Sequence, residues 1–122
     1  MILEHLSLAK QIELVFKELI DELSNLSSGI VFVQIRNNII GKFGVRHDPL
    51  ESKDGQVNEL KSGLSEMHQR TLRQVAVQSL AHKKRWTHGE ILYEFAMKQS
   101  ALQTSVMIES NYNMSNLFNR DH

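Results

Sequence analysis

Five cationic side chains near the only tryptophan are the clearest candidates for a binding site in this chain. Arg70 and Arg73 precede a basic segment, residues 82–86, which reads His-Lys-Lys-Arg-Trp. Residues 68–88 contain no acid, and cations beside an aromatic ring can hold a phosphate and stack on a base. This pattern predicts a contact with nucleic acid or with a protein partner. Its residues would be Arg70, Arg73, Lys83, Lys84, Arg85 and Trp86.

The same residues also have a structural interpretation. Lysine and arginine at the C-terminal end of a helix are stabilised by the helix dipole, and Trp86 would anchor the core where a helix turns into a strand. Fourteen Lys and Arg residues balance fourteen Asp and Glu residues, whereas dedicated nucleic-acid binders are basic. A helix-turn-helix over residues 68–98 would require residues 91–98 to be helical. Nucleic-acid binding is therefore the alternative hypothesis, and not the leading one.

No pattern in the sequence predicts catalysis, a metal site or a cofactor. The chain contains no cysteine, which excludes disulfides and thiolate chemistry and fits a reducing compartment. His82 and His88 are six residues apart, a gap that matches no usual ligand spacing on a helix or strand. Nucleophile-elbow and phosphate-loop motifs are missing. We therefore expect no catalytic, metal-binding or cofactor-binding residue, and we expect the chain not to be an enzyme.

Length and composition predict one ordinary domain, residues 1–122, in which 41% of the residues are apolar. No apolar run approaches the ~20 residues of a membrane-spanning helix, and the N-terminus lacks the pattern of a signal peptide. These features predict a cytoplasmic protein without a membrane contact. Charge is segregated, since residues 1–26 are mainly acidic and residues 68–88 are basic. The two regions would either steer a partner or a second subunit, or neutralise each other within the monomer.

The first half of the chain predicts a helix followed by a β-hairpin. Apolar residues at steps of three and four indicate an amphipathic helix over residues 2–26. Alternating β-branched residues then predict strands on either side of Asn37-Asn38, a pair that tolerates the positive φ of a tight turn. In the return strand, Ile39, Gly41, Phe43 and Val45 are expected on one side, and Gly41 and Gly44 indicate a bulge or a close backbone approach. Residues 47–56 are expected to form a polar loop.

The second half repeats this plan. A helix is predicted from Leu64, or already from Val57, with a buried stripe that includes Met67 and Thr71 and is extended by Leu72, Ala76 and Leu80. Residues 91–98 alternate at period two and predict a strand, with a turn at 99–101 and a partner strand at 102–109. A helical interpretation of residues 91–108 remains open, because some of their apolar residues also fit one stripe. Residues 114–118 predict a short C-terminal helix.

The order αββ-αββ followed by a short helix predicts an α+β fold. Two β-hairpins would form an antiparallel four-stranded sheet, which two main helices cover on one face in a two-layer sandwich. The other face would expose Phe or Tyr residues unless it packs on a second subunit, so a homodimer is expected. The leading hypothesis is a small cytosolic regulatory or protein-interaction module without catalytic activity.

In size and in the order of its helices and strands, the chain is similar to type III secretion chaperones. This likeness is at the level of the fold alone, and it implies a third hypothesis, an adaptor that resembles a secretion chaperone.

Overall fold

Two β-hairpins, each preceded by a helix, make up the architecture of the chain. The computed structural model describes residues 6–57, 62–115 and 117. The helices are α1 (Leu8–Glu18), α2 (Ile20–Leu23) and α3 (Glu66–Ser79), and a 3-10 turn (Leu80–His82) extends α3. The strands are β1 (Ser28–Arg36), β2 (Ile39–His47), β3 (Ser52–Lys53), β4 (Gln56–Val57), β5 (His88–Lys98) and β6 (Ala101–Ser110).

Helix α1 begins where a side chain can cap it. The Ser7 hydroxyl accepts a hydrogen bond from the backbone N–H of Lys10 at 3.2 Å, which satisfies one of the free donors of the first turn. The prediction of one continuous helix over residues 2–26 is wrong, because the helix begins at Leu8 and is interrupted at Leu19, where ψ is close to zero. Leu19 and Leu23, one turn apart, are both buried. Residues 1–5 lie outside the described residues.

The first hairpin forms as predicted, with Asn37 and Asn38 at φ 53° and 63° in its turn. A β-bulge shifts the register, since Ile35 pairs with Ile40 whereas Gln34 pairs with Lys42. The extra residue is Gly41, as its sequence position suggested. The prediction that Ile39, Gly41, Phe43 and Val45 lie on one side of β2 is therefore wrong for the residues between the hairpin turn and the bulge. There Ile40 is buried opposite Ile35, whereas Ile39 is half-buried and Gly41 is exposed.

Two further corrections concern the middle of the chain. The predicted loop at 47–56 contains the small hairpin β3–β4, which turns at Asp54 and Gly55 with positive φ. Helix α3 is capped by Ser65 and buries Leu72 and Ala76, as expected, but Met67 is 64% exposed and Thr71 is also exposed. The predicted stripe includes Leu64, which is buried but lies before the first residue of α3, so the spacing counted from Leu64 does not identify the buried face of the helix.

The second hairpin confirms the strand interpretation of residues 91–108 and overturns the helical one. Strands β5 and β6 pair antiparallel along their length, and Gln99 and Ser100 form the turn with positive φ, so residue 101 belongs to β6. Because residues 91–98 are a strand, the helix-turn-helix alternative over residues 68–98 is also excluded.

Antiparallel pairing of β1 with β5 joins the two hairpins into one sheet of order β2-β1-β5-β6. The helices cover one face of this sheet, which confirms the predicted two-layer α+β sandwich. Side chains of both layers form the core. Its largest fully buried residues are Trp86, Tyr93, Phe95, Ile12, Leu23, Leu72, Ile91, Val31 and Val33.

The predicted C-terminal helix is described only in part. Met114, Ser115 and Leu117 are helical, whereas Phe118 lies outside the described residues. Within the described ranges, no helix combines the length and the apolar character needed to cross a membrane.

Candidate interaction surfaces

The face of the sheet that the helices leave uncovered, called here the open face, carries side chains in transverse rows. Residues directly opposite each other on neighbouring antiparallel strands point to the same face, so the strand register defines the rows. From β2 to β6, the first, central and third rows are Arg46-Ile30-Glu94-Ser105, Gly44-Phe32-Leu92-Met107 and Lys42-Gln34-Glu90-Glu109.

The central row is an apolar strip that crosses the sheet. Phe32 and Leu92 are half-buried, and Met107 is 62% exposed. The Phe32 ring lies over Gly44, where an added Cβ would be 2.9 Å from the ring edge. At Gly44 the close approach is made by a side chain, whereas the sequence suggested a bulge or a close backbone approach. The phenyl ring extends the strip over an edge strand. A connected apolar strip on the solvent side is typical of a contact surface.

Polar groups border this strip and hold one another in place. The guanidinium of Arg46 lies 5.2 Å from the centroid of the Phe32 ring and 3.7 Å from the Glu90 carboxylate. Gln34 donates a hydrogen bond to the same carboxylate at 3.0 Å. Apolar centre and polar border together reproduce the anatomy of a protein–protein interface.

The basic segment, residues 82–86, packs against the turn of the first hairpin. The backbone N–H of Trp86 donates to Asn38 Oδ1 at 3.1 Å, and the backbone N–H of Asn38 donates to the Trp86 carbonyl at 2.7 Å. The Trp86 ring is only 2% exposed and rests on Gly89, so it is a core anchor. A base could not stack on this ring without displacing its neighbours.

The structure divides the six predicted contact residues into two groups. Lys83, Lys84 and Arg85 lie beyond the C-terminal end of α3, and Lys83 Nζ is 5.5 Å from the Trp86 ring centroid and 5.8 Å from that of Tyr112. Arg70 and Arg73 lie about 15 Å further back along the helix axis. They line a groove between α3 and the first two helices, whose walls include Phe16 and Ile20. The two groups of cations therefore lie apart, and phosphate contact by the terminal three cations stays a prediction.

Two polar atoms in the core have no hydrogen-bond partner among the described residues. They are Trp86 Nε1 and the hydroxyl of Tyr93. Burial raises the pKa of Tyr93 to about 12, because ionisation would place a charge in an apolar environment. The nearby Ser79 side chain opposes this shift, but its hydroxyl donates to the Ala76 carbonyl at 2.6 Å and completes no hydrogen bond of good geometry with the phenol.

The Tyr93→Phe variant is expected to differ from the wild type only at high pH. Near neutrality the free energy of unfolding should change by less than about 1 kcal/mol, since no hydrogen bond is lost. Unfolded chains ionise tyrosine near pH 10, whereas folded Tyr93 keeps its proton up to about 12, so wild-type stability falls across that interval. Denaturant unfolding at pH 8 and pH 11 should therefore show a smaller loss for the variant. Equal losses would show that Tyr93 ionises normally.

Two histidines make close polar contacts with side chains, and His68 Nδ1 lies 2.9 Å from the hydroxyl of Ser65, the N-cap of α3. His47 Nε2 lies 2.5 Å from the Glu22 carboxylate, and this pair ties the end of β2 to α2. Nearby, the Ser28 hydroxyl donates to the carboxylate of Asp48. Within residues 6–57, 62–115 and 117, no three His, Cys, Asp or Glu side chains are grouped as metal ligands.

The sequence predicted that the open face would expose aromatic residues, but it did not predict the rows. Phe32 is the aromatic residue on that face, whereas Tyr93 and Phe95 lie in the core. The signal for Phe32 was the continuous apolar run at residues 30–33, in which both sides of the strand are apolar. Met107 carried no such signal, because only the pairing of β6 with β5 places it beside Leu92.

Comparisons with known proteins place no family name on this fold. Neither the protein-family models, nor the curated sequences, nor the solved structures gave a match for this chain. The likeness to type III secretion chaperones therefore stays an expectation from size and element order.

Proposed function

We propose that this chain is a small regulatory or protein-interaction module, without catalytic activity of its own, which binds a protein through the open face of its sheet. The observation that carries the proposal is the apolar strip formed by Phe32, Leu92 and Met107. These side chains come from three different strands and are continuous only because the sheet aligns them. Their burial against a partner would remove apolar surface from water, which is the main favourable term in protein association.

The polar border supports a protein partner in particular. Arg46 and Gln34 are already oriented by Glu90, so a partner would not have to order them on binding. The centre of the face is apolar and carries no unpaired cation, which distinguishes it from a phosphate-binding surface.

The proposal is tested by placing one charge in the strip. Met107→Glu should reduce the capture of partner proteins by the tagged chain, expressed in its native host, by at least about tenfold, because a carboxylate would be desolvated at the centre of the contact. Met67→Glu is the matched control. It makes the same substitution at an equally exposed methionine, but on α3.

The two variants separate the outcomes. Partners that are lost with Met107→Glu and kept with Met67→Glu would support the open face as the binding surface. Partners that are kept with Met107→Glu would contradict the proposal, and their loss with Met67→Glu would assign binding to the helical layer. Circular dichroism and thermal unfolding of both variants would show whether the fold is intact.

A further inference from the structure

The charges in the three rows of the open face are segregated across the sheet. In the first and third rows, the edge strand β2 contributes the cations Arg46 and Lys42. The opposite half contributes only carboxylates, from Glu94 and Glu90 on β5 and from Glu109 on β6. No charged residue of β1 lies in these rows, and the central row is uncharged. Across these three rows the face therefore has a basic edge, an apolar middle and an acidic edge. Two further cations of the same alternation, Arg36 and Lys98, lie outside the rows at the ends of β1 and β5.

Such a face is complementary to a copy of itself in one orientation. Two identical faces that pack on each other are related by a two-fold axis lying in the plane between them. If the axis runs parallel to the strands, between β1 and β5, each row packs over the same row of the second copy. Strand β2 then lies over β6 of that copy, so Lys42 faces the partner's Glu109 and Arg46 reaches the partner's Glu94. Phe32 packs over the partner's Leu92.

The other aligned arrangement places like charges together. With the axis perpendicular to the strands, along the central row, β2 would lie over β2 with the rows reversed. Arg46 would then face the partner's Lys42, and Glu94 would face the partner's Glu90. Like charges directly opposite each other are unfavourable, so the charge pattern selects the first arrangement. Packed sheets are rotated by roughly 30°, which is small enough to keep opposite edges in register.

We infer that the partner of the open face is a second copy of this chain, related by a two-fold axis parallel to the strands. The inference rests on the proposed function of that face and specifies its occupant. Four strands spaced about 4.8 Å apart and nine residues long give a footprint of roughly 500–600 Å² per subunit. Standard interfaces bury about 800 Å² per partner, so the dimer is small and should dissociate at micromolar concentrations.

Charge reversal at the two edges tests the orientation. Sedimentation equilibrium from about 1 µM to several hundred µM should give a monomer–dimer equilibrium for the wild type. Lys42→Glu and Glu109→Lys should each raise the dimer Kd by about tenfold or more at low salt, because each creates two like-charge contacts. An equimolar mixture of the two variants should recover the wild-type Kd to within about threefold, because opposite charges then meet at both edges.

Recovery of the wild-type Kd on mixing distinguishes a charge effect from a folding defect, because a folding defect in either variant would persist in the mixture. A Kd that falls with Lys42→Glu would overturn the inferred axis, because it would mean that Arg46 faces Lys42. An unchanged Kd with Lys42→Glu would place the contact elsewhere, for example along the edge of β6. A wild-type chain that stays monomeric would overturn the second copy as partner. The proposed function itself would fail only if Met107→Glu also left every protein contact intact.

Discussion

Replacing Gly63 with alanine is expected to lower the free energy of unfolding by about 3 kcal/mol, and the melting temperature by roughly 10 °C. A Cβ at this position would lie 2.2 Å from the Ser24 carbonyl oxygen and 2.6 Å from the backbone nitrogen of Leu26. Those atoms belong to the link between α2 and β1, and they cannot easily move. The backbone N–H of Leu64 donates to the Leu23 carbonyl at 3.1 Å, and Leu23 is fully buried.

Gly41→Ala is the matched control for this substitution. Its added Cβ would meet no atom within 4 Å, and Gly41 does not have a positive φ. We expect a change in the free energy of unfolding of less than about 0.5 kcal/mol. Denaturant unfolding of both variants measures the difference directly. Equal stability for the two would show that the segment before α3 does not pack on the α2–β1 link.

Trp86→Ala is expected to lower the free energy of unfolding by about 3–5 kcal/mol, because it empties a fully buried site in the core. The indole ring packs on Gly89, where an added Cβ would lie 3.0 Å from the ring. As the only tryptophan, Trp86 also reports on its own environment. Its emission in the folded protein should be shifted to the blue of the unfolded emission, and acrylamide should quench it weakly.

Tyr112→Ala provides the comparison at the same end of the molecule. The Tyr112 ring also lies near Lys83 but is 81% exposed, so its removal should change the free energy of unfolding by less than about 0.5 kcal/mol. Strong acrylamide quenching, together with a negligible effect of Trp86→Ala, would instead assign the indole to the surface. An exposed Trp86 ring would then be able to stack on a base, as the nucleic-acid hypothesis requires.

Local chemistry in the sequence was enough to predict the first hairpin, whereas it favoured the second hairpin but left a helix open over residues 91–108. Period-two alternation indicates strands wherever it is joined by a turn that accepts positive φ, and Asn37-Asn38 supplied such a turn. Glycine in a strand indicates a bulge or a close approach, and the structure has a bulge at Gly41 and a close side-chain approach at Gly44. These features depend on residues close together in sequence, so no knowledge of the remaining chain was needed.

The phase of α3 needed tertiary information. Apolar residues of α3 fit more than one stripe along the helix. Whether Met67 or Leu72 lies on the buried face depends on where the chain enters the helix. Packing of Gly63 and Leu64 on the α2–β1 link fixes that entry point. The spacing of apolar residues counted from Val57 or Leu64 carries no information about this contact, so it could not predict the buried face of α3.

The position of the candidate binding surface on the open face depends on tertiary structure even more than the phase of α3 does. The sequence alone predicted the four main strands, and it predicted that the helices would leave one face of the sheet uncovered. It drew attention to the cations near Trp86 because they are adjacent in sequence. Phe32, Leu92 and Met107 become neighbours only through the pairing of β1 with β5 and of β5 with β6. The β1–β5 pairing joins segments about sixty residues apart, and its register results from burial of the opposite face against the helices, a property of the whole fold and of no single segment.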